Sequence, residues 1–181
     1  MKRIMIVGQP GSGKSTLARR IGDRTGLPVV HIDHIHWMPG WVERPREEKI
    51  AMAREVEARE AWVFEGGLSA TWSNRLARAD MLIVLDLPFG LRCWRVFWRT
   101  IRHWGRVRPD LPENCPERFE REFWQWIWRT RNTNRARMLA LADVGRKRIP
   151  VHVLTTRREV RRFLAGLDPV VDGSDPLVDQ S

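Results

Sequence analysis

Cysteine is scarce: only Cys93 and Cys115 occur, 22 residues apart and outside any CxxC spacing. That excludes a zinc ribbon and a disulfide framework, and it fits a reducing compartment. Lysine is scarce as well. Four lysines stand among 32 basic residues, so nearly all of the positive charge is guanidinium. Long apolar runs are missing, whereas a bilayer-spanning helix needs roughly 18 apolar residues in succession. The opening MKRIMIVGQPGSGK runs from a short apolar stretch into glycines, unlike a cleavable signal. The expected compartment is the cytoplasm, with no membrane partner.

What is present fits one domain. At 181 residues, 43% of them hydrophobic, the chain can build one core. That domain is expected over residues 1–166. Residues 167–181 carry four Asp, no Lys or Arg and little periodicity, which predicts an acidic, disordered tail. The net charge of the whole is +10, so the body carries about +14. All ten Trp fall between Trp37 and Trp128, and residues 91–140 hold twelve Arg against five acids. An anion beside an aromatic surface is the partner such a composition suits.

Five short apolar runs alternate with helical patterns: Arg3 to Val7, Val29 to Ile32, Trp62 to Glu65, Met81 to Leu85, and Pro150 to Leu154. A parallel sheet covered on both faces needs continuous apolar strands joined by crossover helices. The predicted class is α/β. Helices are expected at Lys14 to Thr25, Pro45 to Ala61, Leu91 to Trp104, Glu117 to Ala142 and Arg157 to Leu164.

The most specific motif lies between the first run and the first helix. Residues 8–15 read GQPGSGKS and Thr16 follows, matching GxxxxGKS in its required strand-to-helix setting. Gly8, Pro10, Gly11, Ser12 and Gly13 curl the backbone so that successive N–H groups converge on one anion, and the helix N-terminus adds its partial charge. Lys14 is placed to reach the β and γ phosphates, Ser15 to join a magnesium shell, and Thr16 to complete the cradle. ATP with Mg2+ is the expected ligand pair.

The segment HIDHIHWMPGW, residues 31–41, is dense in His, Asp and Trp. Asp33 is expected near the end of the second strand, in the crevice above the sheet's carboxyl ends where α/β proteins hold ligands. There it would bind an acceptor hydroxyl and take its proton, or else cap the following turn. Trp37 and Trp41 are expected to cover the acceptor or to pack the loop. His31, His34 and His36 offer a weaker reading as a metal site.

Further on, Arg92, Arg95, Arg99, Arg102 and Arg106 step by three and four and so line one stripe of a helix. Leu91, Trp94, Trp98 and Ile101 form a companion apolar face, expected to be core. A second cluster comprises Arg129, Arg131, Arg135 and Arg137.

Two further runs end in acids. LIVLD closes on Asp86, and WVFEGG on Glu65 followed by Gly66 and Gly67. With five strands and an N-terminal GxxxxGKST, the chain resembles the nucleoside and small-molecule kinase branch of P-loop proteins. The resemblance implies a three-layer α/β/α sandwich with sheet order 2-3-1-4-5. It also implies that Glu65, with Ser15, stands on the magnesium side while Asp86 is structural. A helical lid over about 91–140 would bring Arg129 and Arg135 onto the transferring phosphoryl group. Gly66 and Arg75, ten residues beyond Glu65, would join Asp33 at the acceptor. Glu65 replaces the usual Asp, and no DGFPR-like string is present. The strings HIDHIHWMPGW, RADMLIVLDLP with CWRVFWR, and RPDLPENCPERF with WQWIWR are similar to the DNA topology modulation proteins, an adenylate-kinase-like family, over roughly residues 1–165.

The leading expectation is an ATP-dependent phosphotransferase acting on a nucleotide, nucleoside or small hydroxyl compound, as monomer or homodimer. The alternative is an ATP-dependent DNA-binding or topology-modulating regulator whose Arg-rich body attracts nucleic acid nonspecifically. A nucleotide-binding interaction module is the third.

Overall fold

A computed structural model describes residues 1–167 of the chain. Five strands form one parallel sheet: β1 (Arg3–Gly8), β2 (Val29–His31), β5 (Trp62–Glu65), β6 (Met81–Leu85) and β7 (Val151–Leu154). Their order is β2-β5-β1-β6-β7, so counted along the chain the sheet strands run 2-3-1-4-5. Between β2 and β5 a two-stranded antiparallel ribbon, β3 (Trp37–Met38) with β4 (Val42–Glu43), stands apart from the sheet.

β1 sits at the centre because its residues are apolar on both faces. Ile4, Met5, Ile6 and Val7 are all fully buried, each contributing roughly 1.5–3 kcal/mol by burial. Alternation sends Ile4 and Ile6 to one layer, where Leu17, Ala18 and Ile21 of α1 (Lys14–Thr25) and Leu164 of α7 (Arg157–Ala165) pack on them. Met5 and Val7 face the other layer. It is built by Ala53 and Val56 of α3 (Arg46–Ala58), Leu76 of α4 (Trp72–Arg78), and Met138 and Ala142 of α6 (Arg121–Gly145). The result is the expected α/β/α sandwich.

Several local expectations are revised. β2 ends at His31, and Ile32–His36 forms a short helix, α2, so Asp33 is helical. Gly66 has φ +119, and a Cβ there would meet Ile32 Cγ2 at 2.0 Å; its hydrogen side chain lets α2 dock on the end of β5. α4 was not anticipated. Leu167, the first residue of the expected tail, is buried in the layer that contains α1; the rest of the tail lies outside the described residues.

The largest revision concerns α5 (Phe89–Arg102). The first three arginines of the expected stripe face inward, while Arg102 and Arg106, the latter beyond the end of the helix, are exposed. Arg92 is buried, its Nε donating to the Leu87 carbonyl and its Nη1 to that of Pro10, while Trp94, Trp98 and Ile101, expected as core, are exposed. Among the described residues no helix is long and apolar enough to cross a membrane.

Candidate active site

β1 ends at Gly8, and the loop that follows turns back on itself through a 3.1 Å bond from Ser12 N–H to the Gln9 carbonyl before α1 begins at Lys14. Gly11 has φ +75, and a Cβ on it would lie 2.2 Å from the Arg92 carbonyl oxygen. Glycine there lets α5 press directly on the loop. Gly8, Pro10, Gly11, Ser12, Gly13, Lys14, Ser15 and Thr16 thus occupy the strand-to-helix turn that the motif requires.

A cavity of about 580 Å3 opens over this turn, lined by Gly11 to Thr16 and by Arg19, Arg95, Arg99, Arg108, Arg157 and Arg161 among others. Arg95 Nη1 donates to the Ser12 carbonyl at 3.0 Å, fastening α5 to the loop. So many cations facing one loop repel one another unless a polyanion lies between them. Burial lowers Arg99 below the usual guanidinium range, and Arg108 adds to the fall, against the pull of Glu117.

At the end of β5, beside the loop, stands Glu65. It is buried, its Oε1 is 2.7 Å from His31 Nδ1, and its Oε2 has no hydrogen-bond partner. Burial acts to raise its carboxyl, but the bond from His31, the Lys14 charge and the Ser15 hydroxyl outweigh it and hold the group below the usual glutamate range. An unpartnered buried carboxylate oxygen beside the loop's serine fits a hard cation, so Ser15 and Glu65 would hold Mg2+. Both oxygens of Asp86 accept from Arg135 at 2.8 to 3.0 Å.

Asp33 lies within the influence of the same charges. Burial raises its carboxyl above the usual aspartate range, Glu65 and Asp110 add to the rise, and Lys14 and Arg108 oppose it. Trp37 and Trp41 are half-buried and pack edge to face, ring centroids 5.3 Å apart. Trp41 Nε1 donates to the Pro116 carbonyl at 3.0 Å, and its N–H lies 3.3 Å from Cys115 Sγ. Residues 103–120 therefore lie over the ribbon as a cover.

That cover carries residues that the periodicity did not reveal. Arg108 Nη1 donates to Asp110 at 2.7 Å and its Nε to Glu117 at 2.8 Å; Glu117 also accepts from Arg99 and Thr100. Asp110 in turn lies 3.6 Å from Arg19 of α1. Arg108, Asp110 and Glu117 lie in the string RPDLPENCPERF, which has no helical or strand periodicity to assign them a role.

Other expected residues sit elsewhere. Arg75 is fully buried: Nε reaches Glu57 at 3.3 Å, Nη2 donates to Thr71 Oγ1, Nη1 to the Gly66 carbonyl, and the guanidinium lies over the Phe64 ring. It braces the turn after β5 and has no exposed face for an acceptor. Arg135 lines a separate cavity with Asp86, Arg92 and Arg131, and Arg129 is exposed on α6; neither lines the cavity over the loop. The ion pair with Asp86 holds Arg135 aside, although α6 itself meets the loop where Gln9 Nε2 donates to the Arg131 carbonyl. His31, His34 and His36 do not converge, since they face Glu65, the Pro109 carbonyl and Glu43 respectively. Among the described residues no group of three or more His, Cys, Asp or Glu could hold a metal alone.

Sheet order and loop define a P-loop α/β/α fold of the kind seen in shikimate kinases. A shikimate kinase from Acinetobacter baumannii in complex with shikimate aligns at a TM-score of 0.55 with 17% identity, over 91% of this chain and 89% of that one. The shikimate kinase of Bacteroides thetaiotaomicron aligns at 0.52 with 16% identity, over 91% and 94%. No protein-family model and no curated protein sequence matches the chain.

Proposed function

We propose that this chain is an ATP-dependent phosphotransferase that moves the γ-phosphoryl group of ATP to a hydroxyl of a small acceptor. One observation carries the reading: the helix that bears Asp33 is docked on the end of β5 through Ile32 and Gly66 and meets the cover where His34 reaches the Pro109 carbonyl, which sets the Asp33 carboxylate within the influence of the loop's Lys14 and the cover's Arg108. A phosphate acceptor, already an anion, has no need of such a group. An alcohol does. Asp33 accepts the hydroxyl proton as the oxygen bonds to the γ-phosphorus and the bond to the ADP oxygen breaks. Lys14, Arg99 and Arg108 supply fixed positive charge where negative charge gathers during transfer. Mg2+, held by Ser15 and Glu65, would supply further charge neutralisation at the phosphates. Residues 103–120, lying over the ribbon, exclude water, the competing acceptor. That the two aligned solved structures are shikimate kinases, one holding shikimate, is in keeping with a hydroxylated acceptor.

The DNA-binding alternative, suggested by the strongly basic body and by Arg interleaved with Trp, finds less support. Arg92, Arg95 and Arg99, three of the five stripe arginines, are turned to the loop carbonyls and to Glu117. The deciding experiment is ADP release from Mg-ATP across a panel of sugars, polyols, hydroxy acids and nucleosides. Acceptor-dependent turnover orders of magnitude above hydrolysis is expected, and slow hydrolysis with every acceptor would overturn the proposal.

A further inference from the structure

The outward face of α5 has the chemistry of a core and no cover. Trp94, Phe97, Trp98 and Ile101 are exposed at 56, 42, 48 and 47%, and Trp104, just past the helix, at 63%. The rings form one patch: Trp94 stacks on Phe97 at 6.4 Å and meets Trp98 edge to face at 5.4 Å, while Phe97 and Trp98 lie 6.2 Å apart. A helix this amphipathic normally turns its apolar side to the core, and monomers rarely expose so large a contiguous apolar patch.

We infer that this face joins two copies of the chain. Two observations choose that occupant. The first is area. With a whole aromatic side chain worth roughly 150–250 Å2, four half-uncovered rings and Ile101 present on the order of 500 Å2 per chain. Pairing two such faces buries on the order of 1,000 Å2, the size at which specific interfaces begin. The second is charge. Trp94, Phe97, Trp98 and Ile101 carry none, and three of the helix's four arginines are engaged on its far side: Arg92 with the Pro10 carbonyl, Arg95 with that of Ser12, and Arg99 with Glu117, while Arg102 is exposed at the rim of the patch, one turn beyond Trp98. Nucleic acid or an anionic lipid surface would need cations on the same face as the rings. A second copy needs the reverse, because two chains of net charge +10 repel except where each presents a neutral surface. A two-fold axis near Phe97 and Trp98 sets Trp94 of one chain against Ile101 of the other, so one patch complements itself. Pairing would thus stiffen the helix whose opposite side fastens Arg95 to the phosphate loop.

Sedimentation equilibrium of the full chain tests this. At about 100 µM a species of twice the chain mass is expected, and association should strengthen on raising salt, because screening relieves like-charge repulsion. Trp98→Glu and, independently, Ile101→Glu should return the protein to the chain mass with unchanged circular dichroism. These positions are exposed, so folding is retained. A wild-type protein that stays at the chain mass in both salts overturns the inference. So does a dimer that both substitutions leave intact, or a chain-mass protein that uses this face to bind single-stranded DNA or anionic vesicles.

Discussion

Oε1 of Glu65 lies 2.7 Å from Nδ1 of His31, while Oε2 of the same carboxylate is buried without a partner. The histidine fixes one oxygen and so aims the other. His31→Asn should therefore raise the magnesium concentration needed for half-maximal turnover by about 10–100-fold, the usual cost of losing an outer partner of a metal ligand. Magnesium titration of ATP turnover measures it, and an unchanged midpoint would remove Glu65 from the metal side. The folded Glu65 carboxyl is held below its usual range, by His31 above all and against the opposing effect of burial. Its ionisation accordingly stabilises the fold above the unfolded glutamate pKa, and that contribution is lost as pH falls through the folded value. In Glu65→Gln that part of the acid sensitivity should disappear.

Asp33 shows the opposite sign. Burial raises its carboxyl, so the folded state binds a proton more readily than the unfolded one, and stability falls as pH rises from the unfolded aspartate pKa through the folded value. Asp33→Asn should raise the melting temperature at neutral pH relative to wild type, with the gain vanishing toward acid. The same substitution should lower acceptor-dependent kcat by roughly 10²–10⁴-fold. Paired melts at neutral and acid pH, alongside steady-state kinetics, would expose a failure: a variant less stable at neutral pH would mean that Asp33 is structural.

The phosphate loop and the central strands were legible because their physics is local. Glycines at fixed offsets before Lys14 and unbroken apolar runs such as Ile4 to Val7 leave few other conformations. The five-residue α2 is too short for periodicity to register, so Asp33 looked like a strand residue. The spacing of α5 aligned Arg92, Arg95 and Arg99 but not the side they face, and it overran the helix end at Arg102, so Arg106 falls outside the stripe. Bulky rings ordinarily win the interior; here the carbonyls of Pro10 and Ser12 and the carboxylate of Glu117, all distant in sequence, give the arginines partners there. Arg108 and Asp110 belong to an aperiodic segment, and only their three-dimensional closure over α1 marks them.

Arg108 and Arg129 separate the cover found over the loop from the lid position expected on α6. Arg108 is mostly covered, held between Asp110 and Glu117 over the loop, whereas Arg129 is exposed on α6. Arg108→Gln should depress kcat by about 100-fold or more, with a smaller effect on the KM for ATP, as expected of charge needed chiefly in the transition state. Arg129→Gln should stay within about twofold of wild type, since Arg129 is exposed and does not line the cavity over the loop. Equal losses in both variants would move the phosphoryl-facing role back to α6.

Arg75 and Glu57 are both fully buried, and each completes the other. Asn74 also donates to Glu57, and Arg75 further binds Thr71 and the Gly66 carbonyl, so the pair ties α3 to the turn after β5. Burial lowers the arginine to about 10, with Glu57 resisting the fall, so the guanidinium remains charged at neutral pH. Removing one partner strands the other charge inside the fold. Arg75→Met should thus cost about 3–5 kcal/mol in chemical denaturation, whereas Arg75→Met with Glu57→Met should recover most of that loss. At temperatures where Arg75→Met stays folded, the KM for the acceptor should match wild type, because this guanidinium has no exposed face. A KM that rises with stability unchanged would return Arg75 to the acceptor pocket.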